Sequence, residues 1–391
     1  MSDTTENVLI LQGGGSLGAF GCGVYKALAN SHVKIDIIAG TSIGGVNASI
    51  IAGSKEDHPE SALEQFWLEL AEGSNANLNS PFLEWLTGYP IPTPALISMT
   101  DQLSHISQAK SIMSFHSSAI YGNNKIFVPR WRPEFAFTDP QYFTPNKWTY
   151  LYDHSPLVKT VEKYIDFNKL QPAGKPNVRL IITAVDVLTA EPLIFDSAKQ
   201  QITPKHILAA TGYPTYYFRW VEVEKGVYAW DGSLLSNTPL REVIDASPVK
   251  DKRVFLVENY PKKCDTLPDN LQQVQHRARD IMFSDKTLHN IQMSKAITYY
   301  LKLIDDLYMM LEDHFSSVKK EDKEKFKKIR ARYKKVSEEH GAEIKGVYYI
   351  TRAESFPSLH ENADFSLDMI KASIKDGELK TNQILKDIKT G

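Results

Sequence analysis

Residues 8–18 read VLILQGGGSLG, and this stretch decides the fold. Its first four residues are apolar, as in a short buried strand, and the run gives way to a cluster of glycines. Beyond Gly18 the apolar residues Val24 and Leu28 recur at helical spacing. The stretch therefore predicts a strand, a tight turn and a helix, in that order.

A second unit of the same kind follows directly. We predict a strand over residues 33–39, then a turn that reads GTSIG over residues 40–44, then a helix that runs through Ile51. Repeated strand–turn–helix units are typical of α/β proteins with parallel strands, which place ligands at the carboxyl edge of the sheet. Later elements are predicted as strands over 178–185 and 254–257, a helix over 204–210 and a hairpin over 216–230.

The composition is that of a globular protein. The chain has 391 residues, of which 42% are hydrophobic and 24% charged, and its formal net charge is -2. Cys22 and Cys264 cannot build a disulfide framework or a four-cysteine zinc site, which favours a reducing compartment. The polar residues 1–7 do not resemble a signal peptide, and no apolar run approaches the ~20 residues of a membrane span. We therefore expect a cytoplasmic protein.

The chain divides into two regions. Residues 7–260 carry the α/β pattern, interrupted over 74–150 by a segment rich in proline and aromatic residues, which we interpret as an insertion or lid, helical around 101–114. Residues 265–391 are predicted to be mainly helical and packed on the first region, with a strand over 344–352 and a closing helix over 364–376. One helix carries an apolar seam that predicts close packing: Ile297, Leu301, Ile304, Tyr308, Leu311 and Phe315.

The first glycine turn admits three interpretations. Residues 13–18 fit G-x-G-x-x-G between a strand and a helix, which is formally a dinucleotide-binding pattern. Its backbone amides suit a pyrophosphate, but they also suit the oxyanion of an ester tetrahedral intermediate, or the turn is merely structural. The nucleotide interpretation needs an acid at the end of the second strand, and the nearest acid, Asp36, lies near the start of that strand.

The second turn predicts a nucleophile. Residues 40–44 fit G-x-S-x-G, the nucleophile elbow, with Ser42 at its centre. A serine needs a base. His206 begins a short helix and is a weak candidate. Asp231 is a better one, because it leaves a strand into a turn at Gly232, although Asp-Gly alone is simply a turn signal. The late histidines mostly fall on predicted helices, where surface or packing roles are commoner: His276, His289, His314, His340 and His360.

In their order, these three motifs resemble those of the patatin-like phospholipase family. The family pattern is G-G-G-x-x-G, then G-x-S-x-G, then D-G-G or D-G-A, and the resemblance covers roughly residues 7–260. It implies a three-layer α/β/α sandwich with a mostly parallel central sheet, extended here by an α-helical C-terminal region. The chain departs from the pattern at Leu17, where many relatives carry Arg or Lys, and at Ser233, the third residue of D-G-G/A.

The resemblance also implies a Ser–Asp dyad that uses no histidine, no metal and no cofactor. Ser42 would be the nucleophile and Asp231 the general base. The oxyanion hole and the remaining motif positions would be glycines, namely Gly13, Gly14 and Gly15 for the hole, and Gly18, Gly40, Gly44 and Gly232 for the motifs.

The leading hypothesis is therefore a serine acyl hydrolase that acts on phospholipid or lysophospholipid esters. An acyltransferase would use the same acyl-serine, so the sequence does not separate the two. A non-catalytic lipid-binding protein with this fold and a dinucleotide-binding oxidoreductase are the alternatives from other classes. The latter leaves Ser42 unexplained.

A basic segment over residues 318–335 suggests how such a protein meets a lipid surface. It holds ten basic and three acidic residues in a chain of nearly balanced charge. Phe326, Ile329, Tyr333 and Val336 form an apolar stripe on the same predicted helix. The stripe either packs on the preceding helix or, with the charge, binds an anionic membrane. Nucleic acid is not expected, because no nucleic-acid-reading motif accompanies the run.

Overall fold

The computed structural model describes residues 5–75, 122–173, 178–312, 320–353 and 361–390. The helix predicted at 101–114, and most of the predicted insertion, lie outside these ranges. The strands are β1 (Glu6–Leu11), β2 (Ile37–Thr41), β3 (Val128–Pro129), β4 (Tyr152–Asp153), β5 (Arg179–Asp186), β6 (Pro192–Asp196), β7 (Val221–Glu224), β8 (Val227–Asp231), β9 (Lys252–Glu258) and β10 (Ile344–Thr351).

The helices alternate with these strands over the first half of the chain and dominate the second half. They are α1 (Ala19–Asn30), α2 (Ile43–Gly53), α3 (Pro59–Asn75), α4 (Phe135–Thr138), α5 (Pro156–Tyr164), α6 (Pro204–Ala209), α7 (Leu240–Ala246), α8 (Leu271–Phe283), α9 (Leu288–Glu312), α10 (Lys320–His340) and α11 (Leu367–Thr390).

An eight-stranded, mostly parallel sheet forms the centre of the molecule. Its order is β10-β9-β1-β2-β5-β8-β7, with β6 paired to β5, and the strands from β10 to β5 are parallel. Alternate residues of β1 face opposite sides: Leu9 and Leu11 pack in one apolar cluster, and Val8 and Ile10 in another. Both faces of β1 are therefore buried, which explains its continuous apolar sequence.

Helices cover both faces of this sheet. Side chains from α1, α2, α3 and α11 form the cluster on one face. The cluster on the other face includes residues of α7 and α9. This confirms the predicted three-layer α/β/α architecture and its C-terminal helical region. The strand β6 was not predicted; it pairs antiparallel with β5, and Pro192 and Ile194 on it are exposed.

The C-terminal region takes part in the central fold. Strand β10 pairs with β9 as an outer strand of the sheet, and α11 crosses α1 at two glycines. A Cβ on Gly23 would lie 1.8 Å from the carbonyl oxygen of Ile374, and one on Gly377 would lie 2.2 Å from that of Phe20. The predicted closing helix is too short, because α11 continues to residue 390 along α1.

The apolar seam predicted on α9 is only partly packed. Leu301 is buried, but Ile304 is 43% exposed and Leu311 is 55% exposed. Helix α10 reaches this part of α9 at Tyr308, whose ring stacks on Phe326 at a centroid distance of 4.9 Å. The prediction of a fully packed seam is therefore wrong at Ile304 and Leu311, and Phe315 lies outside the described residues. None of the helices in the described ranges is long and apolar enough to cross a bilayer.

The glycine crossing predicts the effect of one added methyl group. Gly377→Ala should lower the free energy of unfolding by about 1–3 kcal/mol, because the methyl group meets the α1 backbone. Helix propensity alone predicts the opposite sign, by ~1 kcal/mol. Urea unfolding measures the difference. Lys375→Ala, at an exposed position of the same helix, is the control and should change stability by about 0.5 kcal/mol or less. A stabilised Gly377→Ala variant would contradict the close crossing.

Candidate active site

The two motif turns meet at the carboxyl edge of the sheet. Strands β1 and β2 are adjacent and parallel, so the turns that follow them lie side by side. A Cβ on Gly44 would lie 2.2 Å from the carbonyl oxygen of Leu11, and a Cβ on Gly13 would lie 2.7 Å from Cβ of Ser42. Side chains larger than hydrogen are excluded at both positions, because the two turns touch through their backbones.

Ser42 occupies a strained turn between β2 and α2. Its φ of 55° and ψ of -131° are unusual for a residue with a side chain. Its carbonyl already accepts the first hydrogen bonds of the helix, from the amides of Gly45 and Val46. This geometry is typical of a nucleophile elbow, which lifts the serine side chain away from the backbone at a helix N-terminus.

The strand register brings Asp231 to the same place. Thr41 of β2 pairs with Thr183 of β5, and Ala184, the next residue of β5, pairs with Asp231 at the end of β8. The carboxyl group is fully buried. Its Oδ1 accepts hydrogen bonds from the amide and the hydroxyl of Ser233, at 2.9 and 2.7 Å. Ser233, which departs from the D-G-G/A pattern, therefore adds a hydroxyl donor that glycine or alanine would lack.

Burial raises the pKa of Asp231 to about 6, and the nearby hydroxyl of Ser42 and both Ser233 donors oppose that rise. Oδ2 of the carboxylate makes no hydrogen bond to any described residue. Ser42 and Asp231 are thus neighbours that the structure brings together without a short hydrogen bond between them. Such contacts in an empty site often tighten when the substrate binds.

Two asparagines fix the peptide groups of the glycine turn. The N–H of Gly13 donates to Oδ1 of Asn237 at 2.9 Å, and the carbonyl of Gly13 accepts from Nδ2 of Asn259 at 3.1 Å. Because the C=O and N–H of a trans peptide point in opposite directions, Asn259 turns the N–H of Gly14 away from itself. The amide of Leu17 holds the carbonyl of Gly14 in the same manner, which orients the N–H of Gly15.

Two amides of the turn are consequently available and one is not. The N–H of Gly13, which the sequence predicted as part of the oxyanion hole, instead donates to Asn237. Within the described residues, neither Gly14 nor Gly15 donates its N–H to a protein acceptor. Both have positive φ, 150° and 60°, which glycine adopts readily.

A C-terminal segment covers this turn from outside. The hydroxyl of Ser16 donates to the carbonyl of Glu361 at 2.6 Å, and a Cβ on Gly15 would lie 2.1 Å from the carbonyl oxygen of Asn362. The Glu361 carboxylate is buried and accepts from Arg279 at 2.6 Å and from Arg352 at 3.0 Å. This network holds residues 361–363 against the glycine turn.

The same network contains the group of potential metal ligands found within the described residues. Ligand atoms of His276, Asp280 and Glu361 all lie within 4.8 Å of one another. Arg279 also donates to Asp280, at 2.9 Å, and shares Glu361 with Arg352. The two guanidinium groups supply the positive charge that a cation would bring, so we interpret the group as a buried ion-pair network.

A cavity of about 660 Å³ opens onto Ser42, Asp231 and the glycine turn. This is within the usual range for a ligand pocket. Most of its wall is apolar or aromatic. The wall includes Ile126, Phe127, Tyr152, Leu157, Tyr213, Phe218, Met282, Phe283 and Phe365.

The weaker sequence candidates lie elsewhere or serve the fold. His206 caps α6, where its Nδ1 accepts from the amide of Thr203, and its ring stacks on Phe195. Asp36 precedes β2, at the edge of the sheet opposite the glycine turns, and pairs with Lys34. It therefore cannot be the ribose-binding acid that the nucleotide interpretation needs. Leu17 is buried in an apolar cluster near the turn.

Asn237 and Asn259 were missed as functional residues from sequence. Asn259 does carry a signal, because it directly follows the buried strand β9, at the edge of the sheet where ligands bind. Asn237 follows Asp231 in the loop before α7 and has no comparable pattern.

Comparison with known proteins identifies the family of the chain. A family model described as patatin-like phospholipase matches residues 9–244. The chain therefore belongs to the patatin-like phospholipase family, a family of lipid acyl hydrolases. No curated protein matches the sequence.

Two solved structures are similar to this chain at low sequence identity and low TM-score. VipD from Legionella pneumophila is 14% identical with a TM-score of 0.38, and the match covers 98% of this chain and 67% of VipD. ExoU of the type III secretion system of Pseudomonas aeruginosa, solved with SpcU, is 14% identical with a TM-score of 0.28, covering 70% of this chain and 47% of ExoU. The chain spans about two thirds of the first protein and about half of the second.

The contacts of Asp231 predict how its acidity responds to a neighbour. Ser233→Ala removes a hydroxyl donor that stabilises the carboxylate, so the pKa of Asp231 should rise above about 6. Carbon-13 NMR titration of the carboxyl groups, assigned with Asp231→Asn, measures it. Ser284→Ala, whose hydroxyl donates to Ile281, is the control and should leave this titration unchanged. An unchanged or lowered pKa in Ser233→Ala would contradict the contact.

Proposed function

We propose that the protein is a serine acyl hydrolase that cleaves fatty-acyl esters of phospholipids or lysophospholipids. The observation that carries the proposal is the juxtaposition of Ser42, on a strained elbow at a helix N-terminus, with the fully buried carboxyl group of Asp231. Ser42 acts as the nucleophile and Asp231 as the general base.

The first half of the reaction forms an acyl-serine. Asp231, largely ionised at neutral pH because its pKa is about 6, takes the proton of the Ser42 hydroxyl as Oγ bonds to the ester carbonyl carbon. The negative charge that develops on the carbonyl oxygen is stabilised by the amides of Gly14 and Gly15 and by the N-terminus of α2. The carbon–oxygen bond of the ester then breaks, and protonated Asp231 gives its proton to the leaving alcohol.

The second half reverses these roles with water. Asp231 takes a proton from water as the water oxygen attacks the acyl carbon, and the same amides stabilise the second oxyanion. Collapse of this intermediate returns the proton to Ser42 Oγ and releases the fatty acid. An acceptor alcohol in place of water would give acyl transfer, and product mass spectrometry distinguishes the two reactions.

The cavity supports a long acyl chain as the group that is bound. Its aromatic and aliphatic wall begins beside Ser42 and removes an alkyl chain from water, which is favourable in proportion to the apolar area covered. A phospholipid or lysophospholipid supplies such a chain next to its ester.

The dyad predicts the effect of two isosteric or nearly isosteric changes. Ser42→Ala should leave less than about a tenth of the wild-type hydrolysis rate, and Asp231→Asn should lower it ~10²-fold or more. The wild-type rate should fall as the pH drops through about 6, because protonated Asp231 cannot accept the serine proton. Fatty-acid release from a lysophospholipid measures all three, and fluorophosphonate labelling identifies the nucleophile.

His206→Ala is the control for this pair and should keep the wild-type rate. If His206→Ala were inactive and Asp231→Asn active, Asp231 would not be the general base. An active Ser42→Ala would remove the proposed function altogether.

We also propose that helices α9 and α10 bind an anionic membrane surface. Helix α10 carries the basic segment, and its Lys327, Lys328 and Lys334 are exposed. Beside it, α9 exposes a set of apolar side chains: Tyr299, Tyr300, Leu303, Leu307 and Met309. Exposed apolar groups next to basic charge match the two components of a membrane surface, its acyl chains and its anionic head groups.

The packing of α10 leaves part of its own apolar stripe free for this purpose. Phe326 stacks on Tyr308 of α9, but Ile329 is 57% exposed and Val336 is 41% exposed. Packing on the preceding helix therefore uses only part of the stripe.

Charge reversal tests the membrane proposal. The triple variant Lys327→Glu, Lys328→Glu and Lys334→Glu should reduce binding to anionic vesicles at least tenfold, because each lysine near the surface adds ~1 kcal/mol. Wild-type binding should also weaken in high salt. Reversal of three exposed lysines elsewhere, Lys205, Lys225 and Lys263, changes the net charge equally and is the control. Equal losses in the two triple variants, or no loss in the first, would contradict the proposal.

A further inference from the structure

Tyr260 has a hydroxyl group at the cavity wall that the dyad does not use. It follows Asn259 after β9, it is only 2% exposed, and it lines the cavity beside the glycine turn. Its ring is held on two sides: the centroid lies 5.2 Å from that of Phe283, and the guanidinium of Arg279 lies 5.3 Å from it. The ring is therefore fixed, and so is the direction of its hydroxyl.

This hydroxyl makes no hydrogen bond to the part of the protein that the structure describes. Other tyrosines of the cavity do have partners: Tyr216 accepts a hydrogen bond from Asn362, and Tyr213 donates to the sulfur of Met282. The Tyr260 hydroxyl borders the cavity, where a bound substrate can reach it. It is therefore a donor that the described part of the protein leaves unused.

The hydroxyl lies beside the glycine turn. The Oη atom of Tyr260 lies 3.3 Å from the point that a Cβ on Gly14 would occupy. It is therefore next to the amide that Asn259 orients, on the side of the turn that faces the cavity. A substrate oxygen that accepts from the amides of Gly14 and Gly15 comes within reach of this hydroxyl as well.

We propose that Tyr260 is a further catalytic residue, whose hydroxyl donates a hydrogen bond to the substrate carbonyl oxygen as it becomes the oxyanion. The inference rests on the proposed acyl-hydrolase function. Tyr260 keeps its proton throughout, and the proton that moves is the one carried by Asp231. Burial raises the pKa of the Tyr260 phenol, so it stays a neutral donor over the working range of pH.

Tyr260→Phe tests this role because it removes one unpartnered oxygen atom. We expect kcat to fall at least about tenfold with KM changed less than twofold, since the hydrogen bond strengthens in the transition state. The melting temperature should stay equal or rise, because the lost atom makes no bond in the folded protein. A purely structural role would lower stability and rate together.

Tyr348→Phe is the matched control. Its ring stacks on Phe255 in the neighbouring strands, outside the cavity, so its kcat should stay within twofold of wild type. Wild-type kcat in Tyr260→Phe, or equal losses in Tyr260→Phe and Tyr348→Phe, would overturn the inference.

A pair of substrates shows whether Tyr260 donates its hydrogen bond to the oxyanion or to the leaving-group oxygen. An aryl ester and an alkyl ester of the same fatty acid share the carbonyl but differ in the basicity of the leaving oxygen. Donation to the oxyanion predicts equal fold-losses on both, whereas a larger loss on the alkyl ester would assign Tyr260 to the leaving group and overturn the inference. If Ser42→Ala is inactive while Tyr260→Phe is fully active, this inference fails alone. If Ser42→Ala is active, the proposed function fails first.

Discussion

At the carboxyl edge of the parallel sheet, the turn after β1 and the turn after β2 touch through their backbones, with Gly13 against Ser42 and Leu11 against Gly44. Main-chain packing, rather than the choice of a side-chain rotamer, sets the distance between the serine and the amides of the first turn. Groups that must stabilise a developing charge act best when they are already in place. The glycines of the two motifs therefore depend on each other, because the two turns can approach this closely only where neither has a Cβ.

The buried carboxylate imposes a second constraint, which is energetic. The pKa of Asp231 rises from 3.8 to about 6, so the folded protein binds a proton more tightly than the unfolded chain. Stability therefore falls as the pH rises from about 4 to about 6 and stays lower above, by about 3 kcal/mol. This loss of stability accompanies the proposed role of Asp231 as a base held away from water.

The site also extends beyond the residues that define the family. The family model ends at residue 244, whereas Asn259, Tyr260 and Glu361 all contact or surround the glycine turn. The ion-pair network around Glu361 holds residues 361–363 on the glycine turn, and the crossing of α1 by α11 packs the last helix over one face of the sheet. This region therefore has a structural role at the site, separate from the exposed surface of α9 and α10.

The parts of the fold that could be predicted are those in which one short segment carries the whole signal. Strand β1, both glycine turns and the elbow at Ser42 are of this kind, because an apolar run and a few glycines determine them locally. Asn259 acts on Gly13 only because Leu11 pairs with Val257, and that register joins segments more than two hundred residues apart. A sequence indicates where a strand ends but not which strand lies beside it. A polar residue after a buried strand therefore marks the carboxyl edge of the sheet without showing which residue it contacts.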